Sequence, residues 1–194
     1  METISSVCVY CGSRNGALPF FKDSARQLGH GIAKRGKRLV YGGGQIGLMG
    51  AVADAALARG GEVIGVIPKF LEKWEVGHRG LSELHVVENM HERKKMMYEL
   101  SDCIIVLPGG IGTLDETFEI LTWRQLRVHH KPIIILDDKG FWRPLQDMLE
   151  AVVKAGFADP NIFDLFSFVP TIEDIFATLS NATKPILSEK PQRH

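Results

Sequence analysis

Cysteine is scarce in this sequence: only Cys8, Cys11 and Cys103 among 194 residues. An odd and small number does not suit a disulfide framework. Cys8 and Cys11 form a C-x-x-C, but zinc wants a second ligand pair and a redox motif wants a helix start. The pair instead lies inside Val7-Cys8-Val9-Tyr10-Cys11, which reads as a buried strand, so both are expected to be small core hydrophobes. An excess of one charge is missing too, because 23 Lys and Arg face 23 Asp and Glu. That balance argues against a nucleic-acid partner and against compositional disorder. No apolar run approaches the roughly 18 residues of a membrane span. Met1-Glu2-Thr3-Ile4 lacks a basic n-region and the apolar stretch of a secretory signal. A soluble, cytoplasmic, globular protein without a membrane partner is expected.

What is present is alternation. Strand-length apolar runs at Ile4–Cys11, Arg38–Tyr41, Glu62–Ile67, Leu84–Glu88, Cys103–Leu107 and Pro132–Leu136, with a weaker one at Phe166–Val169, are interleaved with amphipathic stretches. The latter predict helices near Phe20–Arg35, Leu48–Arg59, Met90–Leu100, Thr113–Leu126, Trp142–Ala155 and Ile172–Leu179. This is the pattern of an α/β, Rossmann-like, doubly wound and mostly parallel sheet with helices on both faces. Residues 1–180 read as a single nucleotide-binding domain and residues 181–194 as a loose polar tail. Pro68–Gly80, with Trp74, Glu75 and His78, is a candidate lid. Ligands of such sheets sit beyond the carboxyl ends of the strands, so those turns are where chemistry is sought.

Two of the turns are rich in glycine. Gly42 to Gly50 formally contains G-x-G-x-x-G, yet it follows the second strand, and Glu62 starts the next strand instead of ending it. A nicotinamide site is therefore disfavoured. Close strand–helix contact and a phosphate or ribose contact, with Gly43 and Gly44 as candidates, both remain open. The second turn, Pro108-Gly109-Gly110-Ile111-Gly112-Thr113, is more specific. Three glycines ahead of a helix start make an anion cradle, and without a Lys-Ser/Thr pair it is not a triphosphate-cleaving loop. A monophosphate is the expected occupant.

Two charged residues stand out near these turns. Thr113-Leu114-Asp115-Glu116 matches a capping box, in which the glutamate only satisfies a backbone amide. The alternative is an ionised carboxylate beside a bound sugar phosphate, suited to stabilising an oxocarbenium-like sugar. Arg93 falls within the apolar arc of Met90, Met96, Met97 and Leu100, with Lys94 at its edge. An arginine there either snorkels to the surface or meets an anion. Ser13, ending the first strand run, is a candidate for a phosphate or ribose hydroxyl or else a turn cap. His129-His130 reads as a solvated turn. No histidine shares metal-ligand spacing with a carboxylate, so no metal is expected. The helix from Thr113 is apolar on most sides, through Leu114, Phe118, Ile120, Leu121, Trp123 and Leu126, which points to cover by a second copy and hence a homodimer.

Taken together, these motifs resemble a known family. Pro108–Glu116 is similar to the P-G-G-x-G-T-x-x-E signature of the LOG ("lonely guy") family, and Met90-His91-Glu92-Arg93-Lys94 resembles its second, Arg-Lys-centred motif. Gly42–Gly50, Cys11-Gly12-Ser13 and Leu121-Thr122-Trp123 fit as well, so the similarity runs from about residue 4 to 180. The resemblance implies a phosphoribohydrolase that splits the N-glycosidic bond of a purine nucleoside 5′-monophosphate. AMP or an N6-substituted cytokinin nucleotide would give the free base and ribose 5-phosphate, with no cofactor required. It further implies that Arg93 and Glu116 form the catalytic pair, that Gly109, Gly110, Gly112 and Thr113 cradle the phosphate, and that Lys94 and Thr122 line the site. One departure is Asp115, where many relatives carry glutamate. The rival readings are a non-catalytic carrier of a nucleotide-like ligand, such as a molybdenum cofactor, and a ribosyl-transfer enzyme.

Overall fold

Short runs such as Ser-Val-Cys-Val-Tyr and Ile-Ile-Ile-Leu cannot hide their side chains on one face, so the chain buries them on both. In the computed structural model, which describes residues 4–72 and 77–182, they form one fully parallel sheet in the order β4-β3-β2-β1-β5-β6-β7. The strands are β1 (Ser6–Tyr10), β2 (Arg38–Tyr41), β3 (Val63–Pro68), β4 (Glu83–Val87), β5 (Cys103–Val106), β6 (Ile133–Leu136) and β7 (Ser167–Val169). The helices are α1 (Pro19–Lys34), α2 (Gly47–Leu57), the short α3 (Lys69–Glu72), α4 (Met90–Glu99), α5 (Ile111–Gln125), α6 (Arg143–Lys154) and α7 (Ile172–Asn181). The expected architecture is observed; α3 is an addition to the predicted elements.

Alternation along the strands divides the core. Val7 and Val9, with Ile105, face α1, α2 and α7, while Cys8 and Tyr10, with Ile104 and Val106, face α4, α5 and α6. On α1, Phe21, Ala25, Leu28 and Ile32 recur at helical spacing and form the buried stripe. Gly29 on the same helix lets α2 approach closely, because a Cβ there would lie 2.2 Å from the Val52 carbonyl oxygen. All three cysteines are buried and none forms a disulfide among the described residues; burial pushes the Cys8 thiol well above its usual range and the Cys103 thiol up to about 12.

Strand order reverses between β1 and β5, so the turns that leave these two strands diverge and open a crevice at the sheet's carboxyl edge. The floor of that crevice is tied together by one residue. Gly12 donates its N–H to the Pro108 carbonyl (3.1 Å), and its own carbonyl accepts from Leu48 (3.0 Å) and Met49 (3.4 Å) in the first turn of α2.

Three sequence expectations change. The predicted lid divides: Trp74 and Glu75 lie outside the described residues, whereas Gly77–Gly80 is pinned to the body. His78 is buried; its Nε2–H donates to Asp54 (2.8 Å), and its Nδ1 accepts from the Gly80 N–H (3.1 Å). Asn181, expected in the tail, ends α7 instead; residues 183–194 lie outside the described residues. His129 is not a solvated turn residue but 5% exposed, its Nε2–H donating to the Ile120 carbonyl (3.0 Å) and its Nδ1 accepting from the Lys131 N–H (3.1 Å). Burial drives its pKa down to about 4, against the opposing hydrogen bond, so the ring is neutral. Only His130 faces solvent.

Candidate functional site

Helix α5 opens at Ile111, two residues before the predicted start, with Gly110 as its N-cap (φ −100°, ψ −154°) and no side chain capping it. This shift decides the meaning of Glu116. A capping-box glutamate stands at the third helical position, but Glu116 stands at the sixth, where it cannot reach the helix's first amides. It is buried instead, with its side chain 10% exposed, and its Oε1 lies 4.0 Å from Nη1 of Arg93.

Arg93 has not snorkelled. It sits in the first turn of α4, 5% exposed, its Nε donating to the Val66 carbonyl (3.2 Å) and its Nη2 to the Gly42 carbonyl (3.1 Å). The guanidinium thus braces α4 against the ends of β2 and β3 and presents its remaining edge to Glu116. Gly42 is needed for this, since a Cβ on it would stand 2.0 Å from Nη2.

Around the pair is a cavity of about 540 Å³, within the size range of small-molecule sites. Its walls bring together Ser13, Gly109, Gly110, Gly112, Thr113, Arg93 and Glu116 from the expected residues. Among the described residues, no protein acceptor meets the amides of Ile111, Gly112 and Thr113, and a Cβ added at Gly110 or Gly112 would meet nothing within 4 Å. Backbone donors, the positive end of a helix dipole and free space coincide there, which is what an anion needs.

Four expected residues lie elsewhere. Gly43 (φ 76°) is pressed against Ile67 and its carbonyl accepts from the His78 N–H (3.0 Å), while Gly44 bridges Gly77. Lys94 turns from the cavity to Glu119 (3.0 Å) and Asp115 (3.2 Å). Burial opposes its charge, but those two hydrogen bonds outweigh it and hold the ammonium above the usual lysine value. In doing so Lys94 offsets Asp115, which would otherwise repel a phosphate one helical turn away. Thr122 is exposed on α5 and bonds the Phe118 carbonyl (2.7 Å). Conversely, Arg14, Asn15, Phe21 and Phe141 line the cavity without having been singled out. For Arg14, Asn15 and Phe141 the advance signal was the position of their turns beyond strand ends; Phe21 gave none, since it belongs to the buried stripe of α1. Among the described residues no three His, Cys, Asp or Glu side chains gather closely enough to hold a metal ion, and no helix is long and apolar enough to cross a membrane.

Comparison with known proteins meets this geometry at the sequence level. A family profile described as "Possible lysine decarboxylase" matches residues 49–179. The cytokinin riboside 5′-monophosphate phosphoribohydrolase of Rhodococcoides fascians is 48% identical over 81% of this chain and 80% of its own. The chain belongs to the LOG family. The LOG enzyme of Oryza sativa subsp. japonica, with the same functional name, is 42% identical over 89% of this chain and 72% of its own. Among solved structures, the molybdenum cofactor binding protein of Rippkaea orientalis superposes with a TM-score of 0.69 at 22% identity, covering 93% of this chain and 98% of its own. The molybdenum cofactor carrier protein of Chlamydomonas reinhardtii gives 0.68 at 19% identity, with 93% and 98% covered. At these identities the likeness is one of fold alone.

Proposed function

We propose that this LOG-family chain hydrolyses the N-glycosidic bond of a purine nucleoside 5′-monophosphate, AMP or an N6-substituted adenine nucleotide, releasing the base and ribose 5-phosphate. The observation that carries the reading is the buried Glu116–Arg93 pair in the same cavity as the uncapped start of α5. The phosphate rests on the amides of Ile111, Gly112 and Thr113. That anchor holds the ribose against Glu116, converting remote binding into orientation of the scissile bond. As the C–N bond breaks, positive charge develops on the sugar, and the carboxylate stabilises it and orients the water that supplies the new hydroxyl. Arg93 fixes the carboxylate and balances its charge. The names of the relatives support the same chemistry.

The chain acts as a homodimer in the cytoplasm. Support for the dimer comes from α5, where Ile111 (82% exposed) and Leu126 (68%) share the side that also holds Thr122 and half-buried Phe118. Light scattering showing a monomer at micromolar concentration would remove the dimer. Buried cysteines that form no disulfide among the described residues suit a reducing compartment.

Incubating the purified protein with AMP and with the isopentenyl-adenine nucleotide tests the activity. Base and ribose 5-phosphate are expected in equal amounts, and Glu116→Gln is expected to bind AMP yet turn over about a thousandfold more slowly. Wild-type protein that binds AMP and releases no base from either nucleotide would leave a carrier, not a hydrolase.

A further inference from the structure

The cavity's charge does not suit its proposed occupant unless one more residue takes part. Besides a cysteine thiol, three ionisable side chains line it: Arg14, Arg93 and Glu116. Arg93 and Glu116 offset one another, and two of the Arg93 nitrogens are committed to the Val66 and Gly42 carbonyls. A phosphate monoester carries about −1.5 to −2 at neutral pH. Without Arg14 it would enter a wall of no net charge, supported by backbone dipoles alone.

Arg14 is placed to change that. Its side chain is exposed at the cavity, and among the described residues it makes no ion pair. Its backbone is held from two sides. Gly12 is bonded to Pro108 and lies so close to the phosphate turn that a Cβ on it would stand 3.3 Å from the Gly109 Cα. On the other side, a Cβ at Gly47 would stand 2.4 Å from the Arg14 backbone nitrogen, so the start of α2 buttresses the same turn. A fixed root beside the anion cradle, with an uncommitted guanidinium at its end, is the arrangement of a clamp.

We propose that Arg14 closes on the phosphate held at the start of α5 and is the residue that makes the site select nucleotides over nucleosides. This rests on the proposed cleavage of nucleoside monophosphates. A guanidinium offers two parallel N–H donors to two phosphate oxygens, opposite the amides of Ile111–Thr113, and its charge persists at any working pH. The clamp acts in binding, before any bond is broken, so its loss weakens substrate and product alike.

The test combines AMP kinetics with calorimetric titration of ribose 5-phosphate, in wild type, Arg14→Gln and Arg14→Lys. Arg14→Gln is expected to raise KM for AMP and Kd for ribose 5-phosphate by the same factor, about ten- to a hundredfold, with kcat within about twofold. Arg14→Lys recovers part of this, and the factor shrinks as salt is added. An unchanged Kd and KM in Arg14→Gln, or a fall confined to kcat, overturns the clamp while leaving the hydrolase standing. Ribose 5-phosphate binding that depends on Arg14 in a protein that cleaves neither nucleotide supports the clamp and overturns the hydrolase. A wild type that binds no ribose 5-phosphate overturns both.

Discussion

The two glycine turns look alike on paper and serve opposite ends. In the turn after β2, glycine is consumed by the protein itself. Gly42 clears the Arg93 guanidinium; Gly47 (φ 66°) passes within 2.2 Å, measured from its missing Cβ, of the Ser13 backbone; Gly50 would clash with the Gln45 carbonyl oxygen at 1.9 Å. The first amides of α2 are already answered by the Gly12 carbonyl. In the turn after β5 the reverse holds: Gly110 and Gly112 face open space, and the first amides of α5 meet no protein acceptor among the described residues. Glycine content alone therefore does not mark an anion site. What marks it is a helix start that the protein has left unanswered.

Substitutions can break or sharpen this contrast. The largest effect is expected for Gly50→Ala, whose new methyl meets backbone that cannot step aside; a loss of about 3 kcal/mol is anticipated, read as a lowered urea midpoint. Next comes acid. His129 anchors the strand-ward end of α5 through the Ile120 carbonyl and is neutral when folded, its pKa of about 4 lying below that of an unfolded histidine near 6.5. The unfolded chain binds the extra proton first, so stability is full above about pH 6.5 and falls as pH drops towards 4, by roughly 3 kcal/mol. His129→Gln should flatten that slope, and an unchanged slope would assign it to other groups. Gly42→Ala is expected to cost about tenfold or more in kcat by displacing the guanidinium. In an Arg93→Ala background the same change should do little, since the two act as one unit. The smallest structural effect belongs to Gly112→Ala, expected to shift stability by less than about 0.5 kcal/mol while weakening AMP binding several-fold. A Gly112→Ala protein that melts early, or binds AMP unchanged, would erase the distinction between the turns.

The sheet was legible because parallel strands covered on both faces read as continuous Val/Ile runs, as Ile104 to Leu107 shows. Arg93 was visible as a cation inside an apolar arc, but snorkelling and meeting an anion stayed open until the structure showed it buried. Glu116 was visible but ambiguous: its meaning turned on whether α5 begins at Ile111 or Thr113, and capping signals do not resolve two residues. Lys94 and Thr122 came with their motifs, yet motif membership carries no information about which way a side chain points. Adjacent histidines likewise conceal that one faces in and the other out. Arg14 gave no signal because its importance arises from Gly12 and Gly47 pressing on one turn, a fact of three dimensions.

The grip of Arg93 on the Val66 and Gly42 carbonyls has a consequence for substitution at that position. A lysine brings one nitrogen where three are in use, so it can hold the sheet edge or attend the carboxylate, not both. In the proposed hydrolase, attendance on the carboxylate and architectural duty are vested in a single planar group. Any route by which this site drifts towards another chemistry must first find a second brace for α4.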